Sequence, residues 1–167
     1  MPKGKERESL QKLYLGTLQD LYSAEEQILE ALPKMIKKTK HPELKKAFQE
    51  HNQQTEQQLQ RLQRILDQLG EKGGEKECKG MKGVIKDGEE MMTEFTDSDV
   101  LDAALIAAAQ HVEHYEMAGY GCARTYAHML GLTEQADLLQ RTLDEEGDTD
   151  HRLTDLAESV INIDALK

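Results

Sequence analysis

The run DVLDAALIAAAQHVEHYEMAGYGCARTYAHML, residues 99–130, holds no proline and is dominated by alanine, so it reads as one long helix. Asp97 or Ser98 is the expected N-cap and Gly131 the expected stop. Ile106, Ala109, Glu113, Glu116 and Tyr120 recur at three- and four-residue spacing, so they share one face. That face turns from apolar to acidic halfway along. A helix so rich in alanine also lets a neighbouring helix, or a second subunit, approach closely.

The same periodicity extends outward on both sides. Downstream, Thr133 is the expected cap of TEQADLLQRTLDEEGDTDHRLTDLAESV, residues 133–160, with Leu139, Leu143, Leu153 and Ala157 on one stripe. Upstream, the glycine- and charge-rich GEKGGEKECKG, residues 70–80, reads as a loop, followed by a short helix over 81–95. Before it, a helix starts at Pro42 and runs to 69 along Leu44, Phe48, Leu59, Leu62 and Leu66. The first helix covers 9–38, with Ser9 as N-cap, Leu18, Leu21, Ile28 and Leu32 inward, and a kink expected at Pro33. No segment alternates as a strand would. Four long helices joined short, long, short make two antiparallel hairpins linked by a crossover over 70–96. The expected fold is therefore all-α: a ferritin-like four-helix bundle with one long crossover carrying a short fifth helix.

With 167 residues, the chain is long enough for one core and short for two, so a single domain over 1–167 is expected, its ordered core about 9–160. The 32 acidic against 21 basic side chains, a net charge of -11, disfavour nucleic acid, whose binding needs a surplus of Lys and Arg. No apolar run is long enough for a membrane span, and the polar start lacks the core of a signal peptide, so a soluble, cytoplasmic protein is expected. The two cysteines, Cys78 and Cys122, form no CxxC pair and read as isolated thiols, and the seven methionines as core filler.

Polar residues interrupt every apolar stripe near its middle: Glu25 on the first helix, His51 on the second, Glu113 and Glu116 on the third, Glu146 and Asp150 on the fourth. One inward carboxylate is ordinarily a half-buried residue bonded to a tyrosine or arginine. Five converging in a medium of low dielectric would repel one another and each would bear a desolvation cost, and no matching inward Lys or Arg accompanies them. Divalent cations held by oxygen and imidazole are the economical answer. The ligand pattern of ferritin-like dinuclear proteins includes two Glu-x-x-His motifs, and the chain departs from it. Phe48 stands three residues before His51, and Asp150 follows Glu146 where a histidine is expected.

The segments LYSAEEQILEALPKM (21–35), AFQEHNQQTEQQLQRL (47–62), DAALIAAAQHVEHYEMAGYG (102–121) and LLQRTLDEEGDTDHRLTDLA (138–157) resemble the YciF/YciE type of bacterial ferritin-like stress proteins. The VEHYE and LDEE…D segments are the specific part. The resemblance implies a five-helix ferritin-like fold, often dimeric, with a dinuclear metal centre at Glu25, His51, Glu113, Glu116, Glu146 and Asp150. The stretch from Gln53 to Glu56 departs from relatives with a Glu-x-x-His there. Glu26, Gln54, Glu56 and Glu145 remain alternatives to their neighbours. His114 is a candidate supporting group, Tyr22 and Tyr120 sit one turn from expected ligands, and His41, His111, His128 and His151 read as surface residues.

The resulting expectation is a stress protein with two iron ions, manganese as the alternative, and ferroxidase or peroxide chemistry. Glu113 and Glu146 would bridge or chelate, Glu25, Glu116 and Asp150 would be terminal, and His51 would supply the nitrogen. The competing expectation is a helical dimeric stress protein whose metal site is structural or vestigial. A third is a metal-free core of protonated acids.

Overall fold

A computed structural model describes residues 4–96 and 99–167. Among them every element is helical: α1 Gly4–Lys38, α2 Pro42–Gln68, α3 Lys79–Glu94, α4 Leu101–Leu130, α5 Thr133–Leu156 and, after a π turn at Ala157–Ile161, α6 Asn162–Asp164. α1 packs on α2, α2 on α5, α5 on α4, and α4 back on α1, which closes a ring of four long helices. The crossover helix α3 lies against α4 and α1. This is the ferritin-like bundle expected from the helix lengths and links.

Helix ends differ most from expectation. Ser9 lies inside α1, its hydroxyl donating to the Lys5 carbonyl at 3.0 Å, because the helix already runs from Gly4. Pro33 sits within α1 without ending it. Asp97 and Ser98, the expected caps of α4, lie outside the described residues, and Val100 holds the capping position. At α5 the cap is Leu132 and Thr133 is the first helical residue. Gly131 closes α4 with a φ of 78°, as a left-handed stop requires. The turn between α1 and α2 is held from outside. The buried carboxylate of Asp102 accepts the backbone N–H groups of Lys40 at 2.9 Å and His41 at 2.7 Å. Charged acceptors are strong partners for such orphan donors.

The crossover begins with glycines that the geometry demands. Gly70 and Gly74 have positive φ, and a Cβ on Gly73 would fall 2.6 Å from the ring of Tyr22, so the loop lies flat across that tyrosine. Alanine lets α3 approach α4 in turn: a Cβ on Gly88 would meet that of Ala108 at 3.2 Å.

Two apolar layers fill the bundle. One gathers Ile28, Leu32, Phe48, Leu105, Ile106 and Leu153. The other gathers Tyr14, Leu18, Leu62, Ile65, Tyr120 and Leu139. The inward polar residues fall between them on all four long helices.

Candidate metal centre

Glu25 from α1, His51 from α2, Glu113 and Glu116 from α4, and Glu146 from α5 are all buried between the two layers. Each lies on the stripe whose other members are the apolar core residues of its own helix, so the hydrophobic face carries it inward. His51, Glu113, Glu116 and Glu146 each offer a ligand atom within 4.8 Å of the others. Nε2 of His51 is 3.1 Å from Oε1 of Glu113, yet neither imidazole nitrogen makes a hydrogen bond among the described residues. Both oxygens of Glu113, Glu116 and Glu146, and Oε2 of Glu25, are likewise without a hydrogen-bond partner there. Buried polar atoms are ordinarily paired, and such a concentration of unpaired acceptors is the donor set a hard cation takes.

Glu25 stands beside this group of four. Its Oε1 accepts a hydrogen bond from the buried hydroxyl of Tyr120, which fixes the carboxylate while leaving its second oxygen free. Burial, then the charge of Glu146, pushes the Glu25 carboxyl up to about 8, against the opposing effect of the tyrosine. Burial, then the charges of Glu25 and Asp150, pushes Glu113 up to about 7, its contact with Glu146 working the other way. Burial and neighbouring carboxylates hold Glu116 and Glu146 well above the usual range. Without a cation this layer is a set of neutral or proton-sharing acids.

Asp150 is placed differently. It is half-buried and turned toward α4, accepting from the side chain of Gln110 at 3.1 Å and lying 3.2 Å from Nε2 of the exposed His114. It adds its charge to the field at Glu113 from outside the group of four. The alternatives also separate. Glu26 and Glu56 are exposed. Glu145 turns to Arg61, which grips it at 2.8 Å from the guanidinium. Gln54 accepts from Thr149 at 3.3 Å. Tyr22 is half-buried against the crossover loop. His41 caps α2 and buries its Nδ1, so it is not the plain surface residue its sequence context implies.

Gln58 beside the site and Asp102 at the start of α4 are buried and were not singled out by the stripes. Gln58, fully buried, donates to Glu145 at 3.3 Å and carries that carboxylate's Arg61 pair toward the core. Its neighbour Leu59, expected inward, is only half-buried. Asp102 is the other, and its position in the first turn of α4 was its only signal.

The comparisons with known proteins agree with this architecture. The profile of a family described as a domain of unknown function, DUF892, matches residues 9–166. The chain belongs to that family. Protein YciF of Escherichia coli (strain K12) is 39% identical over 155 residues, covering 92% of this chain and 93% of its own. The crystal structure of the E. coli stress protein YciF superposes with a TM-score of 0.86 at 40% identity, over 92% of this chain and 97% of that one. YcfI of Rhodopseudomonas palustris gives a TM-score of 0.84 at 38% identity, over 87% of this chain and 92% of that one. Protein XCC3681 of Xanthomonas campestris shares the fold at a TM-score of 0.73 and 23% identity, over 96% of both chains. The kinship with the YciF type expected from the four quoted segments is therefore established.

Proposed function

We propose that the chain is a stress protein whose bundle centre holds two divalent metal ions, iron first and manganese second, and reacts with peroxide or dioxygen. One observation carries this reading: the four buried carboxylates and the imidazole between the apolar layers present unpaired acceptor atoms toward one another. Two divalent ions would cancel the four charges of Glu25, Glu113, Glu116 and Glu146. Iron held by these residues would supply one electron per ion, two in all, enough to reduce hydrogen peroxide and two protons to two waters or dioxygen to the peroxide level.

The residues divide the work. Glu113 and Glu146 on the packed helices α4 and α5, with Glu25 and Glu116, would hold the ions through carboxylate oxygens, and His51 through a ring nitrogen. Tyr120 holds Glu25 in orientation through its hydroxyl. The apolar layers above and below keep water from the carboxylates and strengthen every charge interaction among them. Asp150, placed on the flank, pairs with His114 and tunes the charge at Glu113. The protein is read as a cytoplasmic homodimer, which sizing in solution checks.

A second reading is favoured by one sequence fact. Phe48 occupies the position where a helix-two Glu-x-x-His would place its glutamate, and Phe48 belongs to the core. On this reading the metal is structural. Metal analysis of tag-free protein, anaerobic Fe(II) loading and exposure to peroxide separate the two. About two irons per chain with rapid oxidation supports the first. Stoichiometric metal without oxidation leaves the structural reading. No stoichiometric metal, and binding unchanged in Glu113→Ala and Glu146→Ala, overturns both.

A further inference from the structure

His51 and Glu113 also form the inner end of a cavity of about 30 Å³ between α1, α3 and α4. Its wall is apolar, with Leu32, Ile85, Met92 and Val112 around it, and its space exists because Ala31, Gly88 and Ala108 are small. At its outer end Lys34 and Glu89, both exposed, pair at 2.9 Å. A water-sized body needs about 10–15 Å³ by this measure, so the cavity takes a molecule of two or three atoms. Hydrogen peroxide would leave most of its donors and acceptors unpaired along such a wall, whereas an apolar diatomic loses nothing there.

His51 has a second approach. A cavity of about 40 Å³ reaches it between α2 and α5, with Ala47, Phe48 and Leu153 on its apolar wall and Glu50, Gln54, Thr149 and Arg152 at its polar edge. There Arg152 pairs with Glu50, and Thr149 donates to Gln54. This edge offers a polar reactant hydrogen-bonding side chains that the wall between α1, α3 and α4 lacks.

We propose that the cavity between α1, α3 and α4 is a binding site for a small apolar gas, dioxygen by its chemistry, and delivers it to His51 and Glu113. The gas site stands on the cavity itself, and its role in oxidation rests on the metal centre proposed above.

Xenon is the probe, because apolar cavities of this kind take it up. In crystals of the metal-free protein under xenon pressure, one xenon is expected against Val112 and His51. Ala31→Phe, at a half-buried position that tolerates a larger side chain, fills the outer part and is expected to weaken xenon binding at least tenfold by 129Xe NMR. Ile85→Ala enlarges the site and is expected to raise occupancy, which keeps the test available if the first variant folds poorly. No xenon in the cavity, or equal binding in Ala31→Phe and the parent protein, overturns the site. With Fe(II) loaded, Ala31→Phe is expected to slow oxidation by dioxygen at least fivefold and leave oxidation by hydrogen peroxide unchanged. Equal effects on both oxidants overturn the delivery role. A protein that loads no iron refutes the metal centre instead, and the xenon result then decides the gas site alone.

Discussion

Tyr120 is fully buried and its hydroxyl is spent on Glu25, so its contribution to the site is orientation. Tyr120→Phe keeps the ring in the apolar layer and removes only that donor. Divalent affinity is expected to fall by about 10- to 100-fold, the usual cost of losing a group that orients a ligand. Titration with Co(II) followed by its visible absorption checks this, and unchanged affinity would show that Glu25 is held by other means. Asp150 gives the opposite expectation. Because it lies off the group of four, Asp150→Asn should leave metal stoichiometry intact, as metal analysis would read. The difference between these residues lies in their partners: Asp150 is half-buried and pairs with Gln110 and His114 of α4, which hold it to the flank. Elsewhere helix geometry decides: seven residues fall about 20° short of two turns and eight overshoot by about 80°, which turns Gln58 inward from His51 and Leu59 partly out. Reading stripes as unbroken runs of threes and fours located the buried carboxylates, and it missed at Leu59, where two fours accumulate.

At the scale of elements, helix contacts are set by small residues. An added Cβ on Gly119 of α4 would fall 2.8 Å from Cδ2 of Leu21, which is itself buried on α1. Gly119→Ala is expected to cost about 1–3 kcal/mol through overpacking. Gly16 lies inside α1 with no atom within 4 Å of such a Cβ, so Gly16→Ala should stabilise by about 0.5–1 kcal/mol through helix propensity. Urea unfolding of both variants reads opposite shifts, and a shared sign would contradict the packing described. The long helices and their links were legible because Leu, Ala, Glu and Gln repeat at a helical period over many turns. Helix starts were legible only in part. Their caps are supplied tertiarily, as Asp102 does for α2, or omitted, as at Leu132, and local composition records neither. The π turn at Ala157–Ile161 is of the same kind, a one-residue change in backbone pairing without its own side-chain pattern.

For the whole molecule, the buried acid layer couples stability to pH, and bound metal reverses the coupling. In the metal-free protein burial raises Glu113 to about 7 and Glu25 to about 8, with Glu116 and Glu146 well above the usual range. An unfolded glutamate titrates near about 4.3, so above that pH the folded chain binds more protons than the unfolded one. The stability these groups contribute is therefore complete below about 4.3 and is lost as pH rises through 7 and 8. Metal binding demands the ionised carboxylates, so protons compete with the cations and the loaded protein should lose its added stability on acidification. Thermal midpoints between pH 5.5 and 8.5 should thus fall with rising pH in chelator and rise with pH in Fe(II) or Mn(II) under anaerobic conditions. Curves with the same slope in both would mean that the cations do not bind among these carboxylates. Opposite slopes that vanish together in Glu113→Gln would place both effects in the layer where α1, α2, α4 and α5 meet.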